Sequence, residues 1–161
     1  KPTIVDADGL NILASIHNWP KRFIQKAILT PHPGEMARLL GHSDHLESSE
    51  RVAIATESAR AWNKVVVLKG AYTVVACPDG NTLLSPFANP GLASAGTGDV
   101  LAGVIVGLLS QGLSLEDAAA AGVYIHGMAG EGVRNNFGDA GMIASDLLPM
   151  LPKTIKLLST Q

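Results

Sequence analysis

The chain is short of cysteine, of charge of one sign and of long apolar runs. A single cysteine, Cys77, in 161 residues excludes an internal disulfide and fits a reducing, cytoplasmic setting. Twelve Lys and Arg against fourteen Asp and Glu give a formal net charge of −2. That balance supplies no basic surface for nucleic acid or an acidic membrane. The longest apolar run, Val100 to Leu109, falls well short of the ~18 residues of a membrane span. The opening "KPTIVDADGL" has two carboxylates where a secretory segment needs an apolar core. No internal repeat, low-complexity tract or linker divides the chain. The expectation is one domain over 1–161, with 47% hydrophobic residues to build a core.

What is present alternates between strand and helix. "PTIVDA" reads as a short β-branched strand, with a helix from Gly9 to Ile16 behind it. "KAILTP" is the next strand, stopped by Pro31, and a helix from Gly34 to Leu40 follows. Val52, Ala55, Ala59 and Trp62 recur at helical spacing between Ser48 and Asn63. "KVVVLKG" is nearly continuous apolar, as a strand covered on both faces must be. "TVVACPDGNTLLSP" predicts a hairpin turning at Asp79, Gly80 and Asn81. Helices over Asp99–Leu109, Leu115–Asn135 and Ala144–Leu158 complete the chain. This alternation predicts an α/β fold, a three-layer α/β/α sandwich with a mostly parallel sheet.

Three polar segments, "DADGLN" at 6–11, "TPHPGE" at 30–35 and "KGAYT" at 69–73, each begin where a predicted strand ends. Ligands of open α/β sheets bind at that edge. Each segment also has a structural reading. Asp8 suits a helix cap, Pro31 and Pro33 suit a strand end and helix start, and Glu35 suits a first helical turn. Lys69 and Gly70 suit a solvated turn. His32, between two prolines, is pinned at the functional edge. His17, His42 and His45 lie in polar stretches without metal-site spacing, and His126 in an alanine-rich helix reads as a packed polar residue.

The fourth segment is "NPGLASAGTGDVLAG", 89–103. It sets two glycines against a run apolar on nearly every side, the mark of a fully buried helix. Gly91 to Thr97 spells G-x-x-x-x-G-T, so the P-loop lysine is missing. Gly96 and Gly98 begin a G-x-G, but Leu101 stands where the dinucleotide fingerprint needs glycine. What remains is a turn whose amides at Ala95, Gly96, Thr97 and Gly98 can surround an oxyanion, with Asp99 one step beyond. Such a pair suits phosphoryl transfer: the amides and helix dipole hold the phosphoryl charge, and Asp99 takes the acceptor's proton. A glycine-capped core helix is the other reading of the same residues.

"NPGLASAGTGDVLAGVIVGLL" resembles the GTGD signature of the ribokinase-like superfamily. With "VDADGLN", "LTPHPGEMARLLG" and "VVLKGAYTVVA" in this order, the chain resembles the ADP/ATP-dependent NAD(P)H-hydrate dehydratases. The likeness runs from Pro2 to the helix containing His126. It implies a lyase that repairs hydrated NADH or NADPH, phosphorylating the added hydroxyl from ADP or ATP and then losing phosphate. On that likeness Asp99 is the base at the substrate hydroxyl and His32 touches the hydrated cofactor. Lys69, Gly70, Ala71, Tyr72, Thr73 and Gly98 line the nucleotide, and Gly96 with its neighbours forms the anion hole. Magnesium is implied with the nucleotide, Glu35 helping to organise it by analogy with related kinases.

The resemblance also implies a longer domain, with an N-terminal part of the sheet that has no counterpart before Lys1. The expectation is therefore a partial ribokinase-like domain. It self-associates, as a homo-oligomer, or joins a chain supplying the missing portion. Two other functions are expected to compete: a small-molecule kinase for a sugar or vitamin-precursor alcohol, and a nucleotide-binding fragment without catalysis.

Overall fold

The structure, a computed structural model, describes residues 1–42, 48–138 and 140–160. His45 lies outside them. Among the described residues five short strands form one sheet in the order β1-β2-β3-β4-β5. They are β1 (Thr3–Val5), β2 (Ala27–Leu29), β3 (Val65–Leu68), β4 (Val74–Ala76) and β5 (Thr82–Leu84). β1, β2 and β3 run parallel, and the hairpin expected around Gly80 adds β4 and β5 antiparallel. Parallel pairing is confined to the first three strands, so the sheet is mixed. Gly80 sits at φ +97° in the hairpin turn, a conformation that glycine adopts without a Cβ penalty.

The two-residue period of the strands divides the core. Leu29, Val66, Leu68, Val74 and Ala76 face one side. There they meet α1 (Ala7–Ser15), α3 (Pro33–Leu40) and α4 (Arg51–Trp62) through Leu10, Met36, Ala55 and Ala59. Ile28, Val65, Val67 and Val75 face the other side, against α5 (Thr97–Ser110) and α6 (Leu115–Phe137). A run in which every residue is buried, such as β3, is what a strand between two helical layers requires. This is the three-layer α/β/α arrangement.

Three details depart from the pattern read in the sequence. A short helix, α2 (Trp19–Arg22), buries Trp19 edge-on against Trp62 at 4.8 Å between ring centroids. Four residues are too few for any periodicity to register. The last helix is two, α7 (Ala144–Leu147) and α8 (Met150–Leu158). Pro149 between them lacks the N–H that would continue the ladder. Finally, α5 is not buried all round. Thr97, Leu101 and Ile105 point inward, while Asp99, Gly103, Val106 and Ser110 form an exposed stripe. Its composition is that of an enclosed helix, but only one layer covers it here. Among the described residues no helix is long and apolar enough to cross a membrane.

Candidate active site

The parallel strands end at one edge, and each delivers a polar group there. Asp6 follows β1, His32 comes three residues after β2, and Lys69 follows β3. Lys69 Nζ donates to Asp6 Oδ1 at 2.6 Å and lies 3.8 Å from Glu35 Oε2. These three side chains are largely shielded from water, so each charge depends on the others. The backbone supports the arrangement, with the Lys69 amide donating to Pro31 O at 2.8 Å.

His32 and Glu35 open α3 as a reciprocal cap. His32 Nδ1 accepts from the amides of Gly34 at 3.0 Å and Glu35 at 3.3 Å, and Glu35 Oε2 accepts from the His32 amide at 2.8 Å. Because Nδ1 accepts, the ring carries its proton on Nε2, which lies 3.4 Å from Glu35 Oε1. The cap fixes a half-exposed imidazole at the rim of the edge. Both Glu35 oxygens have protein neighbours, and this carboxylate serves the cap and Lys69.

Gly96 precedes α5 at φ +83°, which turns the chain into the helix. Thr97 Oγ1 lies 2.6 Å from Leu92 O and 2.8 Å from Ser94 O, and its amide donates to Ser94 O at 3.3 Å. The Thr97 amide is thereby occupied. Among the described residues the amides of Gly98 and Asp99 donate to no protein group. They stand free at the positive end of a 14-residue helix. A Cβ on Gly98 would lie 3.5 Å from Lys69 Nζ, so the ammonium sits beside the same helix end. Two free amides, a helix dipole and a lysine converge on one spot: an oxyanion site by its chemistry.

A cleft of about 590 Å³ opens next to it. Of the residues expected at a site, His32, Lys69, Gly70, Ala71, Thr73, Thr97 and Gly98 line its wall. Tyr72 (at φ +54°), Ala95, Gly96 and Asp99 are not in that wall, and the Asp99 carboxylate is exposed on the outer face of α5. Phe87 closes one side, packed on Tyr124 at 5.3 Å and over Gly127, where a Cβ would overlap the ring. Two residues not singled out in the sequence join the site: Asp6, from the polar segment 6–11, and Asn89. Asn89 Oδ1 accepts from the Gly91 amide at 2.9 Å, while its buried Nδ2 has no partner among the described residues. It opens the glycine segment, so its place was legible even though its role was not.

His126 is a packed polar residue, as its helix suggested, but its packing reaches the site. Its Nε2 donates to Thr97 O at 2.9 Å, tying α6 to the first turn of α5. Burial pushes the ring down to about 4, opposed in part by the bond to Thr97. The unfolded ring takes up a proton near pH 6.5 and the folded ring does not until about pH 4. Stability is therefore complete above about pH 6.5 and is lost as pH falls toward 4, by on the order of 3 kcal/mol. Urea titrations across that window should show the slope. His126→Gln, which keeps a donor but does not titrate, should flatten it.

Among the described residues no three His, Cys, Asp or Glu side chains are grouped to hold a metal. With Asp6 and Glu35 engaged by Lys69, the groups at this edge offer no ready-made set of ligands for an ion among the described residues.

A profile of the NAD(P)H-hydrate dehydratase family matches residues 1–153. The chain is 47% identical, over 160 residues, to a bifunctional NAD(P)H-hydrate repair enzyme of Moorella thermoacetica, covering 99% of this chain and 30% of that protein. A crystal structure of the ADP/ATP-dependent NAD(P)H-hydrate dehydratase of Bacillus subtilis, co-crystallised with ATP/Mg2+, superposes with a TM-score of 0.85 at 36% identity. That match covers 97% of this chain and 55% of the structure. A ribokinase-like superfamily protein of Enterococcus faecalis superposes at 0.74 with 25% identity, over 96% of this chain and 52% of its own. The chain thus spans under a third of the first relative and about half of each structure.

Proposed function

The chain belongs to the NAD(P)H-hydrate dehydratase family, and on that premise we propose that it carries the nucleotide and phosphoryl-transfer half of a hydrate-repair lyase. ADP or ATP lies in the cleft against residues 69–73. Its terminal phosphoryl group sits at the free amides of Gly98 and Asp99, beside Lys69. The hydrated NADH or NADPH approaches from the outer face of α5, with its added hydroxyl at Asp99 and His32 against the cofactor. Asp99 accepts the hydroxyl proton as the oxygen attacks phosphorus and the bond to the nucleotide breaks. The amides and Lys69 hold the charge that spreads over the phosphoryl oxygens. Departure of phosphate, with loss of a proton from the adjacent ring carbon to solvent, then restores the ring double bond.

The observation that carries this reading is the convergence of the two free amides and Lys69 Nζ at the start of α5, next to the cleft. Magnesium enters with the nucleotide and lowers the charge on its phosphates. The test is recovery of absorbance at the reduced-nicotinamide band from hydrated NADH and magnesium, with ADP and ATP in parallel. Recovery with either nucleotide supports the lyase. Phosphorylated hydrate accumulating without recovery would indicate a small-molecule kinase instead.

The exposed stripe of α5 gives a second reading a specific basis. Asp99 lies on a face that this chain leaves open, so nucleotide binding without turnover would mark a non-catalytic module. We place the expected self-association, or the covering portion, on this stripe and on the open edge of β1. Sedimentation at micromolar concentration should show species heavier than 16.7 kDa. A monodisperse monomer would count against self-association.

A further inference from the structure

The loop that walls the cleft after β3 has an unusual backbone, with Gly70 at φ +145° and Tyr72 at φ +54°. One side chain from a distant element holds it. Arg51 Nη1 donates to Ala71 O at 2.7 Å, and Nη2 donates to Leu68 O at 3.1 Å and Lys69 O at 3.2 Å. Three backbone carbonyls within residues 68–71 are thus held by one planar guanidinium, whose rigid fork suits several acceptors at once.

Arg51 is otherwise badly placed. It is the first residue of α4, where the helix dipole disfavours a cation; the N-cap Glu50 precedes it but makes no side-chain cap, and the first turn carries no acid. Burial lowers its pKa, and its Nε is buried with no partner among the described residues. A residue that breaks local rules this consistently is held by what it does beyond its own helix. Gly70 is fitted to it as well, since a Cβ there would come within 2.9 Å of Nη2.

The bond to Lys69 O has a further effect. The C=O and N–H of a trans peptide point in opposite directions. Turning Lys69 O toward Arg51 therefore turns the Gly70 N–H away from it. That amide donates to no protein group among the described residues, and Gly70 lines the cleft. We infer that Arg51 is a positioning residue for the nucleotide: it never lines the cleft, but sets the loop so that the Gly70 amide and Lys69 meet the nucleotide's oxygen atoms.

The inference rests on the nucleotide reading of the cleft, and the test separates the two. ATP binding to the chain is measured by calorimetry well below the melting temperature, for wild type and Arg51→Lys. Lysine keeps the charge but cannot span three carbonyls. Affinity should fall by on the order of tenfold or more, and the Gly70 and Ala71 amides should exchange faster with deuterium. Arg51→Gln, which removes the guanidinium and substitutes no residue of the cleft wall, should weaken ATP similarly and carries the test if Arg51→Lys does not fold. Equal ATP affinity in wild type and the folded variants would overturn the role of Arg51 alone. Absence of binding of both ATP and ADP by wild type would overturn the nucleotide reading, and this inference with it; if only ADP binds, the same comparison of variants is made with ADP.

Discussion

Asp99→Asn should abolish nearly all recovery of reduced-nicotinamide absorbance, lowering kcat by about 10²–10⁴-fold. The substitution is nearly isosteric, and the Asp99 side chain makes no hydrogen bond among the described residues. Its structural cost is thus confined to the loss of an acid in the first turn of α5, about 0.3–1 kcal/mol. ATP affinity should be preserved, because the phosphate contacts proposed there come from backbone amides and Lys69. The diagnostic pattern is a fall in kcat at constant nucleotide affinity and nearly constant melting temperature. A variant with wild-type turnover would remove Asp99 from the chemistry. A variant that also lost ATP would make it a nucleotide-binding group instead.

The second large effect is expected at Lys69. Lys69→Met keeps the aliphatic stem but leaves Asp6 and Glu35, both largely shielded, without their cation. Breaking such a pair from one side costs about 3 kcal/mol, or roughly 6–12 °C in melting temperature at this chain length. ATP affinity should fall as well, since the ammonium beside Gly98 is gone. Adding Asp6→Asn to Lys69→Met should recover much of the stability, because one uncompensated charge is removed, but not the ATP affinity. That double-mutant comparison separates the structural share of Lys69 from its ligand share. If stability and ATP affinity recover together, Lys69 acts only through the fold.

The extent to which the site was legible differs from residue to residue. Gly96, Gly98 and Asp99 form one contiguous signal, and their placement at the start of α5 follows from local rules alone. His32 was also visible, as a residue pinned between two prolines at the functional edge, and Glu35 as an acid of a first helical turn. The reciprocal cap that they form with each other was not read from the sequence. Asp6 and Lys69 are 63 residues apart, and their 2.6 Å contact exists only because β1 and β3 end on one edge. Arg51 was invisible, since no local pattern tells an arginine at a helix start to reach three carbonyls 17 to 20 residues away.

The sequence by itself determined the alternation of elements, the class of fold and the motifs that mark the family. Backbone punctuation by glycine and proline and the period of apolar residues are local properties, written in consecutive letters. Only the tertiary structure decided the rest: that β4 lies antiparallel beside β3, which face of α5 stays open, and which distant charges meet at the sheet edge. Those outcomes depend on what covers each surface and on which strand ends lie side by side. Both are set by packing across the whole chain, and no stretch of consecutive residues contains that information.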